Sequence, residues 1–172
     1  MDFFTLFGLP VRYALDGATL TERFQTLQRQ WHPDRFAAGA EQERLQASRQ
    51  AAMINEAYQI LRQPLRRAEY LLSLHGIDVA SEQYTLRDTD FLMEQWALRE
   101  ELEALAAGPG AEAALEAFGE RLAGLFAARE REAAAQLAQG DWQTAADSVR
   151  KLRFLDKARQ QMEQLEDALP DR

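Results

Sequence analysis

The chain has 172 residues, 47% of them apolar and 28% charged, which suits one or two soluble domains with cores of their own. It has no cysteine and only two histidines, His32 and His75; this excludes disulfides, thiolate zinc sites and cysteine-ligated iron–sulfur clusters, and disfavours a multi-histidine metal site. The formal charge of -8 is unevenly spread, with nine basic and eight acidic side chains up to residue 76 but eleven and twenty after it, so the second part repels nucleic acid and anionic membrane.

Apolar residues recur at helical spacing almost throughout, without strand-like alternation, and an all-α protein is expected. A short helix is predicted over Asp2–Phe7, stopping at Gly8-Leu9-Pro10. Asp16 is a candidate N-cap for a helix over Ala18–Trp31, whose apolar face is Leu20, Phe24, Leu27 and Trp31. A loop over Pro33–Ala40 leads to a third helix, Glu41–Leu61, with Leu45, Ala52, Tyr58 and Leu61 as inward candidates. Pro64 fits the first position of a further helix, Pro64–Leu74, and Gly76 its C′ position. Residues 77–87 are polar, lack a clear period and read as a linker between a domain over 1–76 and a second over 88–172. Helices are then predicted over Thr89–Ala106, Ala111–Ala138 and Trp142–Leu169, broken at Gly108-Pro109-Gly110 and Gln139-Gly140-Asp141. Such short connections favour an antiparallel three-helix bundle. No apolar run approaches the ~20 residues of a membrane span, and Met1-Asp2-Phe3-Phe4 carries no basic leader, so a cytoplasmic protein is expected.

His32-Pro33-Asp34 stands between the second and third helices. Pro33 cannot lie in a helix interior and keeps His32 out of αR geometry, so the helix must stop there. His32 and Asp34 are left on a loop, where Asp34 can accept a charge-assisted bond from a partner's arginine. Read from the residues alone, the tripeptide is either a recognition loop or an ordinary helix stop. With Phe3–Leu9, Gln25–Trp31, Arg35-Phe36, Asn55-Glu56-Ala57-Tyr58 and Leu61, it resembles a J domain. The resemblance implies binding to a DnaK-type ATPase chaperone and stimulation of its ATP hydrolysis, with His32, Pro33, Asp34, Arg23, Arg29 and Arg35 as the contact residues. Trp31 and Arg35 replace the Tyr and Lys more common in that family. The second helix offers only Arg23 and Arg29, offset by Glu22, so electrostatic steering is weak and a dedicated chaperone is expected over a generic one.

The helix from Thr89 carries two apolar faces. Phe91, Leu98, Leu102 and Leu105 form one stripe, enough to dock it on its bundle. Leu92, Met93 and Trp96 lie nearly opposite, beside Arg99 and Glu100, where a bundle helix should be polar. An apolar patch there marks a partner site or packing on another part of the chain; Met and Trp suit the first use. Phe154 sits off the Val149/Leu152/Leu155 stripe of the last helix and is expected to join the patch.

The segments Phe91–Gln95 with Leu98–Leu102, Ala68–Gly76 and Val149–Lys157 resemble the HscB family of bacterial J-type co-chaperones for iron–sulfur cluster assembly. The similarity spans nearly the whole chain. It implies that the C-terminal bundle binds an IscU-like scaffold through Leu92, Met93, Trp96, Arg99, Glu100 and Phe154, and that the J domain engages an HscA-like chaperone. Trp96 stands where the family commonly has Leu, and Ala97 where it has an acidic residue. The expected protein is not an enzyme and needs no cofactor or metal. The alternatives are a helical adaptor without a chaperone partner and a general J protein serving another client. A hydrolase built on His32 and Asp34 lacks a nucleophile and a rigid face to align the pair.

His75, at a helix end, reads as a residue complementing the helix dipole. Arg62, Arg66 and Arg67 read as a solvated basic cluster, with an auxiliary chaperone contact as the sharper alternative.

Overall fold

The computed structural model describes residues 1–80 and 88–170. These residues form seven α-helices and one 3-10 turn, with no strand among them. They divide into two compact units, Met1–Leu71 and Leu72–Arg172. The division falls inside the fourth helix, whereas the sequence suggests one after Gly76.

In the N-terminal unit, helix α1 (Phe3–Leu6) starts because the Asp2 carboxylate accepts bonds from the Thr5 amide and hydroxyl, each at 2.8 Å. Asp16 caps α2 (Gly17–Gln30) in the same way through the Ala18 amide at 3.0 Å. Helix α2 ends at Trp31, and the chain enters a 3-10 turn, Pro33–Phe36, inside what the sequence suggests is an open loop. Helix α3 (Glu41–Leu61) then runs back along α2. The Phe24 and Tyr58 rings stack at 4.0 Å, and the hydroxyls of Thr21 and Tyr58 lie 3.1 Å apart. Early α2 thus meets late α3, and the pair is antiparallel.

The inward face of α3 differs from the expected one. Leu45 and Ala52 are exposed, Tyr58 is half-buried, and Ala47, Ile54, Ala57 and Leu61 are the buried positions. Leu61 lies inside as expected, and two of the other buried positions are alanines, whose small side chains let helices approach closely. The unit closes through the start of α4 (Pro64–Leu74): Tyr70 stacks on Phe3 at 4.6 Å and accepts the Phe3 amide at 2.9 Å.

In the C-terminal unit, the stretch after Gly76 is not a purely polar linker: Ile77 and Val79 are buried. The rest of the expected linker, residues 81–87, lies outside the described residues. Helices α5 (Thr89–Ala107), α6 (Ala111–Ala138) and α7 (Trp142–Asp167) pack pairwise as a three-helix bundle. Asp88 caps α5 through the Phe91 amide at 3.0 Å. One core cluster joins all three helices: Phe91 and Leu102 from α5, Leu115, Phe118 and Leu122 from α6, and Phe154, Leu155, Ala158 and Met162 from α7. Nearer its start, α7 buries Ala145, Ala146, Val149 and Leu152, and Ser148 bonds Gln136 of α6 at 2.7 Å.

Candidate partner-binding surfaces

The tripeptide is displayed on a braced turn. The Trp31 and Phe36 rings stack at 5.8 Å across its base, and the Arg35 amide bonds the His32 carbonyl at 3.0 Å. His32 occupies the N-cap position of the 3-10 turn, with extended backbone as the following proline demands. Its Nδ1 accepts the Asp34 amide at 3.2 Å and lies 3.6 Å from Asp34 Oδ2. These contacts are alternatives: the first needs Nδ1 unprotonated, and the second becomes an ion pair only with a proton there. The side chains of His32 and Asp34 are 54% and 91% exposed, so both remain accessible to a partner despite their local contact.

The arginines near the loop separate into two groups. Arg29 and Arg35 are exposed. Arg23 instead reaches back to the end of α1, where Nη1 donates to the carbonyls of Phe7 at 2.9 Å and Gly8 at 3.4 Å. It holds an element end together, a role that charge counting along a helix cannot reveal. Arg67 departs in the same way from the expected solvated cluster: it is buried, bonds the Leu61 carbonyl at 2.8 Å and lies over the Tyr13 ring. Arg62 and Arg66 are exposed, with Arg62 beside the Tyr58 ring. His75 stacks face-on against Trp142 at 3.7 Å, so its contact is with the start of α7 rather than with a helix dipole alone.

On α5 the two-faced pattern persists in the folded unit. Phe91 and Leu102 are buried and Leu98 and Leu105 half-buried, while Leu92, Met93 and Trp96 are 36%, 68% and 67% exposed. Arg99 and Glu100 are exposed beside them. Among the described residues of this unit, therefore, nothing covers Met93 and Trp96.

Phe154 behaves differently from its expected partners. It is only 8% exposed and meets Phe91 edge-on at 5.7 Å as part of the core. Its position off the main stripe of α7 brings it to the wall of the core next to α5. There it lines a cleft of about 360 Å³ together with Leu92, Gln95 and Arg99 of α5, and with Val79 and Ala80. The cleft also receives Arg150, Arg153 and Lys157 of α7. The sequence reading missed these three. Their spacing from Phe154 places them on one face of α7, a signal available only once Phe154 is known to face α5.

Comparison with known proteins agrees with this two-part organisation. Residues 2–70 match the DnaJ domain family, and residues 87–168 match the family described as HSCB C-terminal oligomerisation domain. The structure of chaperone HscB from Vibrio cholerae is 48% identical, with 99% of this chain and 100% of that one covered and a TM-score of 0.87. The human co-chaperone protein HscB is 27% identical over 98% of this chain and 84% of its own, with a TM-score of 0.89. The Jac1 co-chaperone from Saccharomyces cerevisiae shares the fold at 22% identity, covering 99% and 95%, with a TM-score of 0.77. A J domain followed by the HscB C-terminal helical domain, along the full length of the Vibrio cholerae protein, makes this chain a member of the HscB co-chaperone family.

Proposed function

We propose that the chain binds an IscU-like iron–sulfur scaffold on its C-terminal bundle and delivers it to an HscA-like, DnaK-type chaperone, whose ATPase it stimulates through the J domain. The observation that carries this reading is the exposure of two unlike surfaces on two separate units. One is the His32-Pro33-Asp34 turn; the other is the Leu92/Met93/Trp96 patch on α5.

The turn supplies a carboxylate, Asp34, that is 91% exposed and held on a short braced segment. A preformed turn of this kind loses little entropy on docking, and its carboxylate matches a cationic site on a chaperone. Pro33 restricts the backbone further. Asp34 and His32 act here by contact, biasing the chaperone toward hydrolysis; the bond-breaking groups belong to the chaperone. The patch supplies three apolar side chains, with Trp96 as an anchor and Met93 as an adaptable neighbour. Arg99 and Glu100 border them and set the register of the bound scaffold. Carrying both surfaces on one chain raises the effective concentration of scaffold at the chaperone. Action in the cytoplasm fits this role.

The test is the steady-state ATPase rate of the HscA-like chaperone with and without this protein. The expected result is stimulation by the wild type and loss of most of it in Asp34→Asn, which keeps the size of the side chain and removes its charge. Undiminished stimulation by Asp34→Asn contradicts the role assigned to the turn.

A further inference from the structure

We infer that the cleft beside Phe154 is a carboxylate-binding subsite, taking an acidic side chain of the scaffold segment that docks on the neighbouring apolar patch. The inference rests on the scaffold-binding reading and specifies the chemistry of the partner that this reading leaves open.

Among the described residues, four cations line this cleft: Arg99 from α5, and Arg150, Arg153 and Lys157 from α7. Among the described residues, no carboxylate lines it. That is notable in a part of the chain where acidic side chains outnumber basic ones by twenty to eleven. Several cations of α7, Arg150 of the cleft included, have acidic neighbours nearby. Arg159 bonds Asp156 and Glu163 at 2.8 Å, Lys151 lies 3.9 Å from Asp88, and Arg150 pairs with Asp147 through one of its nitrogens. Among the described residues, no such carboxylate pairs with Arg99 or Lys157, both of which are exposed.

Apart from the polar Gln95, the remaining described walls are apolar: Val79, Ala80, Phe91, Leu92 and Phe154. Such walls exclude water and focus the field of the cations, so a carboxylate entering the cleft interacts more strongly than it does at an open surface. Arginine in particular offers a planar fork that matches a carboxylate with two bonds. Leu92 lines the cleft and also belongs to the exposed patch. The two surfaces are therefore continuous, and a segment whose apolar side chains cover Met93 and Trp96 can place an adjacent acidic side chain over Lys157 and Arg99. A cleft of about 360 Å³ accommodates one such side chain, and a nucleic-acid backbone is disfavoured by the overall charge of -8.

Calorimetric titration of the full chain with an IscU-like scaffold, at about 0.05 M and about 0.5 M salt, tests the inference. The scaffold Kd is expected to weaken roughly tenfold at low salt in Arg153→Gln/Lys157→Gln, since bonds to charged groups are the stronger kind. The double variant is also expected to flatten the salt dependence. Lys157→Glu alone, at an exposed position where folding is not at stake, weakens binding in the same direction. Lys157→Arg retains it, and so does Arg159→Gln, whose guanidinium is engaged by Asp156 and Glu163. A double variant with wild-type Kd and salt slope, while Leu92→Ala still weakens binding, overturns the subsite and leaves the scaffold reading intact. No scaffold binding by the wild type at either salt overturns the reading itself. Self-association of the chain that is lost in the double variant assigns the cleft to a second copy and overturns the inference.

Discussion

Gly8 and Arg23 show how one residue's freedom fixes another's position. Gly8 has φ +65, and a Cβ added there would stand 2.6 Å from Arg23 Nη1. The absent side chain leaves room for the guanidinium to reach the carbonyls that end α1. Gly8→Ala is therefore expected to lower stability by roughly 1–2 kcal/mol, the order of the left-handed penalty for an L-residue, as read from the denaturation midpoint of the N-terminal unit. The caps at Asp2 and Asp16 carry a pH signature. Burial pushes the Asp2 carboxyl up, but the bonds from the Thr5 amide and hydroxyl outweigh it, and the net shift is downward from 3.8. The Thr19 hydroxyl, followed by the Ala18 amide, lowers Asp16. A carboxyl lowered in the folded state adds stability above its unfolded pKa, and this is lost as pH falls through the folded value. The amide resonances of Thr5 and Ala18 should accordingly titrate below about pH 4. Asp2→Asn and Asp16→Asn, which keep a cap without a titrating group, should abolish the respective steps. Neither the Arg23 bond nor the buried place of Arg67 was legible in the sequence, because both depend on contacts with residues distant along the chain.

Element boundaries were far more legible than element faces. Asp16, Pro64, Gly108-Pro109-Gly110 and Gly140 are local signals, and α3, α4 and α6 have the bounds their sequence suggests. The ends of α1, α2, α5 and α7 differ by one or two residues, within ordinary fraying. Faces depend on the partner surface. On α3 the alanines at 47 and 57 go inside while Leu45 and Ala52 stay out. On α5 the large residues themselves mark both faces, which is why the Leu92/Met93/Trp96 side was legible. The periodicity of α7 puts Phe154 beside α5 and in the exposed patch, whereas the structure puts it in the core next to α5. The bundle core makes a direct prediction. Leu115 is fully buried among residues of all three helices, so Leu115→Ala should cost about 2–5 kcal/mol in urea denaturation of the C-terminal unit. For the same reason Phe154→Ala is a poor probe of partner binding, because it perturbs packing against Phe91. Leu92 and Trp96 probe the surface with less effect on the core.

At the scale of the whole molecule, the J domain and the bundle are separate compact units that match two different families. Among the described residues, no helix is long and apolar enough to cross a membrane, and no cluster of His, Asp or Glu is arranged to hold a metal ion. On the function proposed above, the two surfaces act together, with the scaffold held on α5 amplifying what the tripeptide does to the chaperone. The most direct measurement is the ATPase rate of the HscA-like chaperone across a series of IscU-like scaffold concentrations, with wild type or with Leu92→Ala/Trp96→Ala. With wild type, scaffold and co-chaperone together should stimulate more than the sum of their separate effects. The double variant should shift the scaffold dependence to roughly tenfold or higher concentration, as expected for loss of two anchoring side chains. Identical scaffold dependence for the two proteins would contradict the account.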